Sequence, residues 1–435
     1  MSKSFKIITL GCRVNQYESA YLKDALMNAG WQQAVRQAKA DVSVVNTCIV
    51  TQRASHQSRQ AIRKAIRENP TGMVAAVGCY AQVFPEELSE IPGIGLIAGN
   101  RAKGELPDIL LNGMDTERKR VILADFEPGM PFESLELHRF PDRSRAHLKI
   151  QDGCESFCSY CIVPFARGPY RSLAQRDVLR MMESLSRRGY KEVVLTGIHL
   201  GKYGVDLKGE MTLGNLLRAI GRESFPVRVR LSSIEPNELD EHLIEMVAAE
   251  PWICKHFHIP LQSGDTEILQ RMNRHYTPKE FEKLVESIFS RMPLCAIGAD
   301  LMAGFPGEHL KAHENTCALI KGLPLSYLHV FPFSPRPGTA AATLDAHLDP
   351  TSVRKRAEAL RDIGQRKRSA FYRNCLGSVF EVLAEMWTSD AHEAMRGTSD
   401  NYLPVIFRTS NDLKNTLAPV RMDTVENNRV IGSAL

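Results

Sequence analysis

The sequence predicts a multidomain α/β protein in three parts: a doubly wound parallel α/β domain, an open TIM-like (β/α)6 barrel, and a small all-β barrel at the C-terminal end. Three observations carry this reading. The 435 residues, 43% hydrophobic and 24% charged, suffice for about three domains of ~150 residues and sit close to the average globular composition. Short β-rich runs alternate with helix-like stretches over most of the chain, the pattern of parallel strands joined by crossover helices. After Gly377 the pattern changes to short alternating strands, the signature of a small β-barrel.

The first domain is expected over residues 1–115. Lys6 to Leu10, Val42 to Val45 and Met73 to Val77 read as strands, each followed by a helix-like stretch. In the first such stretch Tyr17, Leu22, Ala25 and Ala29 recur at helical spacing until Gly30 stops the pattern. Residues 116–139 are polar and punctuated by Gly129 and Pro131, with one short strand signal around Arg120 to Leu123; a linker is expected there.

Six strand candidates follow within residues 140–373: His147 to Ile150, Glu192 to Thr196, Val227 to Leu231, His256 to Pro260, Ala296 to Met302 and Tyr327 to Phe331. Six βα units rather than eight give an open barrel, with its active face at the strand C-termini. Residues 350–373 read as one long basic helix. Residues 374–435 make the terminal barrel, with strands at Val379 to Leu383 and Tyr402 to Phe407.

Fifty-five Lys and Arg against 50 Asp and Glu give a net charge of +5, which permits an anionic partner without requiring one. No apolar run approaches the ~18 residues needed to cross a bilayer, so no membrane partner and a cytoplasmic location are expected. Ten cysteines are too sparse for a disulfide scaffold in a chain this long, and in a reducing compartment their clustering points to metal or redox chemistry.

Cys154, Cys158 and Cys161 form C-x3-C-x2-C directly after the first barrel strand. Three thiolates so close can hold three irons of a 4Fe-4S cube, and with no fourth cysteine nearby one iron stays open. An open iron can chelate the amino and carboxylate groups of S-adenosylmethionine, whose one-electron cleavage yields a 5′-deoxyadenosyl radical. Zinc is the bland alternative; it normally takes four protein ligands, often as paired C-x2-C knuckles. Cys12, Cys48 and Cys79 are unremarkable by spacing, yet each ends a predicted strand. In a parallel sheet strand C-termini face one crevice, so a second 4Fe-4S cluster with one unligated iron is expected there.

Other candidates carry less. Cys254, Cys295, Cys317 and Cys375 read as packing residues. His199, His256, His258, His313 and His329 read as structural. The stretch Gly93-Ile-Gly95-Leu-Ile-Ala-Gly99 has the wrong last spacing for a dinucleotide fingerprint and does not sit at the first βα turn.

With these residues in hand, the chain resembles the methylthiotransferase branch of the radical S-adenosylmethionine superfamily over essentially its whole length. The motifs are Thr9-Leu-Gly-Cys-Arg-Val-Asn-Gln-Tyr-Glu18, Val45-Asn-Thr-Cys48, Gly78-Cys-Tyr-Ala-Gln82, Ile198-His-Leu-Gly-Lys-Tyr-Gly204, Arg230-Leu-Ser-Ser-Ile-Glu-Pro236, Ile259-Pro-Leu-Gln-Ser-Gly264, Gly304-Phe-Pro-Gly-Glu308 and Phe331-Pro-Phe-Ser-Pro-Arg-Pro-Gly338. They look most like the tRNA N6-threonylcarbamoyladenosine methylthiotransferases. The resemblance implies an N-terminal auxiliary-cluster domain, a radical core and a C-terminal TRAM domain that binds RNA. It assigns Cys154, Cys158 and Cys161 to the radical cluster and Cys12, Cys48 and Cys79 to the auxiliary one. It also implies that the C2 hydrogen of the modified adenosine at position 37, beside the tRNA anticodon, is replaced by a methylthio group. Two S-adenosylmethionines are consumed per product, one as methyl donor and one as radical source, with an external electron donor of the flavodoxin or ferredoxin type. An aromatic C–H offers no acidic proton to a side-chain base, whereas a radical can abstract the hydrogen. Glu235, Gln262 and Ser263 end barrel strands and are candidate contacts to S-adenosylmethionine; they could equally cap helices or satisfy loop amides.

For the anticodon stem-loop, Arg59, Arg63, Arg67 and Lys64 offer one basic helix face, and the 354–373 stretch with Arg396, Arg408, Lys414, Arg421 and Arg429 offers another. A solvated helix face is the bland reading of the first. Trp387, Tyr402 and Phe407 are read as core of the small barrel as readily as a stacking platform. The TRAM-like match rests on Gly397-Thr-Ser-Asp-Asn-Tyr402. The alternatives are methylthiolation of isopentenyladenosine in tRNA or of a ribosomal protein aspartate, and, from another class, a two-cluster electron carrier that binds RNA without modifying it.

Overall fold

A computed structural model describes residues 3–35, 38–112, 119–137, 140, 144–388 and 393–435. The expected domain boundaries at residues 115, 116 and 139 fall outside these. In the first part, strands β1 (Ser4–Thr9), β2 (Gln32–Gln33), β3 (Val42–Thr47), β4 (Met73–Gly78), β5 (Ile94–Ala98) and β6 (Arg120–Ile122) form one sheet in the order β2-β1-β3-β4-β5-β6. Every pair in it is parallel. The strand order reverses between β1 and β3, which opens a crevice at the strand C-termini. β3 and β4 are buried at every residue, as expected of central parallel strands covered on both faces.

The stretch expected to be a linker does more than connect. β6 lies within it and pairs with β5, and Glu133 accepts a hydrogen bond from the Gly104 N–H at 2.7 Å. Leu135 and Leu137 are buried in the same apolar cluster as Tyr17 of helix α1 (Arg13–Asn28) and the barrel strands. Polar composition hid these few apolar anchors.

The central part holds β7 (Arg145–Lys149), the antiparallel pair β8 (Gln151–Asp152) and β9 (Arg171–Ser172), then β10 (Glu192–Thr196), β11 (Arg228–Leu231), β12 (His256–Gln262), β13 (Ala296–Ala303) and β14 (Tyr327–Pro332). The sheets β11-β10-β7 and β12-β13-β14 are parallel throughout, and β11 is followed in space by the β12 region through a bridge between Val229 and Ile253. This is the open six-strand barrel. The helix Pro350–Asn374, capped by the Asp349 side chain, lays Val353, Ala357, Leu360 and Ile363 against it.

β15 (Val379–Trp387), β16 (Ala394–Ser399), β17 (Pro404–Arg408), β18 (Leu417–Glu426) and β19 (Arg429–Ala434) close into a barrel ordered β15-β16-β17-β19-β18. Phe407 is in its core and Trp387 packs on it, but Tyr402 turns outward. Its ring stacks on His256 at 4.3 Å and lies under the Arg230 guanidinium at 5.1 Å, and its hydroxyl accepts from Arg13 Nη2 at 3.2 Å. The barrel docks beneath the strand N-termini through Glu192. That carboxylate accepts from Arg228 Nε at 2.7 Å and Arg230 Nε at 2.8 Å. The remaining guanidinium nitrogens donate to the carbonyls of Glu381, Thr398, Ser399 and Asp400.

Burial pushes the Glu192 carboxyl up, but the Arg230 and Arg228 guanidiniums outweigh it and hold it well below the usual carboxylate range. Its stabilising contribution is therefore complete above about pH 4.3 and is lost as pH falls below that. Glu192→Gln, which leaves two buried arginines without their counter-charge, is expected to cost about 3–5 kcal/mol in denaturant unfolding at neutral pH. The deficit relative to wild type should shrink as the titration is repeated at progressively more acid pH.

Candidate functional site

Three strand ends deliver the first cysteine triad. Cys12 follows β1 and sits at the N-cap of α1, Cys48 follows β3, and Cys79 opens the short helix after β4. Gly11 adopts φ +93°, and a Cβ there would stand 2.8 Å from Cys48 Sγ; only glycine lets the two strand ends approach so closely. Asn15 ties them together, its Nδ2 donating to the carbonyls of Leu10 and Thr47 at 2.8 and 2.9 Å. Asn100 Nδ2 reaches Cys79 Sγ at 3.4 Å. Burial, with the nearby Cys79 and Cys12 thiols, pushes the Cys48 thiol up to about 12, so the three sulfurs sense one another.

The second triad lies on the loop after β8. Cys154 N–H donates to the Gly168 carbonyl at 2.9 Å and Cys161 N–H to that of Cys158 at 2.9 Å, which curls the three thiols inward. Gly153, at φ +78°, has no room for a Cβ beside the Pro169 carbonyl. Cationic groups address two of the sulfurs. His199 Nδ1 stands 3.4 Å from Cys154 Sγ while its Nε2 meets Glu238 at 2.7 Å, and Arg274 Nη1 donates to Cys158 Sγ at 3.4 Å. Burial pushes the Cys154 thiol up, but the His199 hydrogen bond and charge prevail and lower it below its ordinary value. Cys161, buried beside Cys158, is pushed up to about 12.

The space beside Cys154 extends to the N-terminal sheet domain. A cavity of about 710 Å³ is lined by Cys154, Phe157 and Phe165 from the second loop and by Gln82, Val83 and Phe84 from the segment after Cys79. Asn100 joins the two sides, bonding Cys79 Sγ and also the Ala166 carbonyl at 2.6 Å.

Residues 4–99 match the family described as "Uncharacterized protein family UPF0004", and residues 148–320 match the radical SAM superfamily. The threonylcarbamoyladenosine tRNA methylthiotransferase MtaB of Aquifex aeolicus is 36% identical over 91% of this chain and 95% of its own. That of Bacillus subtilis is 35% identical over 95% of this chain and 92% of its own. A tRNA-2-methylthio-N(6)-dimethylallyladenosine synthase of Carboxydothermus hydrogenoformans is 31% identical over 97% of this chain and 96% of its own. The chain belongs to the radical SAM tRNA methylthiotransferases. In fold it is similar to a radical S-adenosylmethionine methyltransferase, TsrM, from Kitasatospora setae, with a TM-score of 0.55 at 18% identity, covering 79% of this chain and 77% of the other.

A radical SAM methylthiotransferase works with 4Fe-4S clusters and S-adenosylmethionine, and the residues fit them. Each triad supplies three free thiols and no fourth, which suits a cube with one iron left open.

Of the candidate cosubstrate contacts, Glu235 is held by Arg274 Nη1 at 3.1 Å. Gln262 stands at a bulge in β12 with φ +64°. Ser263 departs from expectation: it is fully buried, its hydroxyl accepts from the Asp265 N–H at 3.2 Å and it faces Thr316 at 3.4 Å. It closes the loop, as the alternative reading had it.

His199 is expected to be structural and instead touches Cys154; nothing in its spacing marks it. Arg274 and Asn100 were equally silent. Elsewhere in the barrel, His258 and His329 share Asp300 Oδ1 at 2.8 and 3.2 Å, a hydrogen-bonded set in a lumen that also receives the positive Arg13 and Arg230. On the helix Gln52–Glu68, Arg59 pairs with Glu87 and Lys64 with Glu68, while Arg63 and Arg67 are exposed. In the long basic helix, Arg356 is spent on Glu308 and Lys367 on the Lys321 and Leu323 carbonyls; Arg354, Lys355, Arg366, Arg368 and Arg373 remain exposed.

Iron analysis of anaerobically reconstituted protein checks the ligand sets. Cys12→Ala/Cys48→Ala/Cys79→Ala and Cys154→Ala/Cys158→Ala/Cys161→Ala should each retain about half the wild-type iron, as two independent cubes require. Gly153→Ala should likewise lose the second triad's share alone, because the loop cannot close over the added methyl.

Proposed function

We propose that this protein methylthiolates C2 of N6-threonylcarbamoyladenosine at position 37 of tRNA, giving the 2-methylthio derivative. The observation that carries the reading is the cavity that runs from Cys154 to Gln82, Val83 and Phe84, the segment just after Cys79, since one nucleobase has to meet a radical source and a sulfur source in the same place. The choice of modified base is supported by the threonylcarbamoyladenosine-named relatives, at 32–36% identity over more than nine-tenths of the chain.

With the radical triad Cys154, Cys158 and Cys161 and the auxiliary triad Cys12, Cys48 and Cys79 loaded, the clusters and S-adenosylmethionine supply one-electron cleavage of a sulfonium and a sulfur atom carrying a methyl group. The chain's own residues hold and shield this chemistry. Arg274 places a positive charge between Cys158 and Glu235, orienting Glu235 toward the strand ends. Glu235 and Gln262 are the S-adenosylmethionine contacts in this reading, with Ser263 acting on the loop. Phe157 and Phe165, ring centroids 6.2 Å apart and edge to face, give the cavity an apolar wall on which a base can stack.

An anticodon stem-loop would lie along the exposed cations of the long helix, with the terminal barrel as the second jaw. An external electron donor of the flavodoxin or ferredoxin type and a cytoplasmic location complete the proposal; among the described residues no helix is long and apolar enough to cross a membrane.

Mass spectrometry of total tRNA nucleosides from cells with and without the gene tests it. Loss of 2-methylthio-N6-threonylcarbamoyladenosine, with accumulation of its unthiolated precursor, is expected. Loss of the isopentenyladenosine derivative instead would move the protein to the specificity named in the dimethylallyladenosine-type relatives.

A further inference from the structure

Arg167 is one of the largest fully buried side chains in the protein, at 1% exposure. It belongs to the helix Val163–Arg167 that follows Cys161, yet its guanidinium crosses to the other domain. Nη1 donates to Glu18 Oε1 at 2.6 Å, Nη2 donates to Asn15 Oδ1 at 2.6 Å, and Asp152 lies 3.3 Å away on its own side. Asn15 is the residue that ties the strand ends bearing Cys12 and Cys48.

The charges around it do not balance. Lys103 bonds Glu18, Lys149 reaches Glu18 at 3.3 Å and Asp152 at 3.0 Å, and Arg171 stands 3.7 Å from Asp152. Four cations thus face two carboxylates, all of them buried. Excess buried positive charge is costly unless an anion stands beside it. The auxiliary triad stands next to it: Asn15 Oδ1, which Arg167 bonds, is 4.0 Å from Cys12 Sγ, and Asn100 joins Cys79 Sγ to the carbonyl of Ala166, the residue before Arg167. Burial disfavours the Arg167 charge, whereas Cys79, Glu18, Asp152 and Cys12 favour it and prevail. Arg167 Nε has no hydrogen-bond partner among the described residues.

We infer that Arg167 is a positioning residue lent by the radical domain to the auxiliary cluster, whose anionic charge it balances and whose reduction it favours. The inference rests on the assignment of Cys12, Cys48 and Cys79 to a 4Fe-4S cluster. Reduction adds a negative charge, so a fixed buried cation makes it easier, and removing the cation makes it harder. Glu18, the counter-charge on the same guanidinium, acts in the opposite sense.

The test is an anaerobic redox titration of the reconstituted holoenzyme followed by electron paramagnetic resonance, with the auxiliary signal assigned as the one lost in Cys12→Ala/Cys48→Ala/Cys79→Ala. Arg167→Gln should lower the ratio of reduced to oxidised auxiliary cluster at least tenfold at the wild-type midpoint, a shift of about 59 mV for one electron. Glu18→Gln should raise that ratio, and Arg167→Lys, which keeps the charge, should stay near wild type. A residue that merely supports the fold would move all three variants the same way or none of them, and either result overturns the inference. If Arg167→Gln loses the auxiliary iron, the other two variants decide: a raised ratio in Glu18→Gln with Arg167→Lys near wild type sustains it, and any other pair of results overturns it. Wild-type protein that holds about four irons rather than eight would overturn the cluster assignment itself, and this inference with it.

Discussion

The ion pair between Glu18 and Arg167 is the interaction on which the arrangement depends. Glu18 comes from the helix that starts at Cys12, and Arg167 ends the helix that starts just past Cys161. One buried bond therefore fixes the distance between two loops whose cysteines belong to different domains. Burying an arginine and a glutamate is costly, and it succeeds here because almost every lone pair and proton is taken up by Lys103, Lys149, Asp152 and Asn15. Removing one partner would leave the others charged and dry, so the interface has little freedom to slide.

The barrel between these contacts is used at both ends. At the strand C-termini lie the cysteine loops and the cavity beside Cys154; at the N-termini Glu192, Arg228 and Arg230 hold the small barrel by its own backbone carbonyls. Carbonyl acceptors make this part of the docking independent of side-chain identity, while Tyr402, Glu385 and Asn401 add side-chain contacts of their own.

The regular elements were legible because parallel strands announce themselves. Glu192 to Thr196 was read to the residue, and the other five barrel strands differ only at their ends, since a buried strand is an apolar run bounded by turn residues. The placement of Cys12, Cys48 and Cys79 at three parallel strand ends was legible from the strand pattern, and the close grouping of Cys154, Cys158 and Cys161 from their spacing. What was not legible is every partner that meets across sequence. Arg167 and Glu18 are 149 positions apart, Arg274 and Cys158 116 apart, and an arginine in a short loop helix looks the same whether it faces water or a cluster. Ser263 shows the converse, a polar residue at a strand end whose hydroxyl is consumed by its own loop. β6, at Arg120–Ile122, was signalled as a short strand, but its pairing with β5 was not, three residues being too few to show which sheet they join.

Arg13 stands next in the chain to Cys12, and its side chain ends on the hydroxyl of Tyr402, in the turn between β16 and β17 of the terminal barrel. Tyr402 in turn is wedged between His256 and Arg230 at the floor of the central barrel. The first and last parts of the molecule are thus mechanically linked through the middle one. A tilt of the terminal barrel would therefore be felt through Arg13 at the peptide next to Cys12, a lever that runs from the last part of the chain to the first.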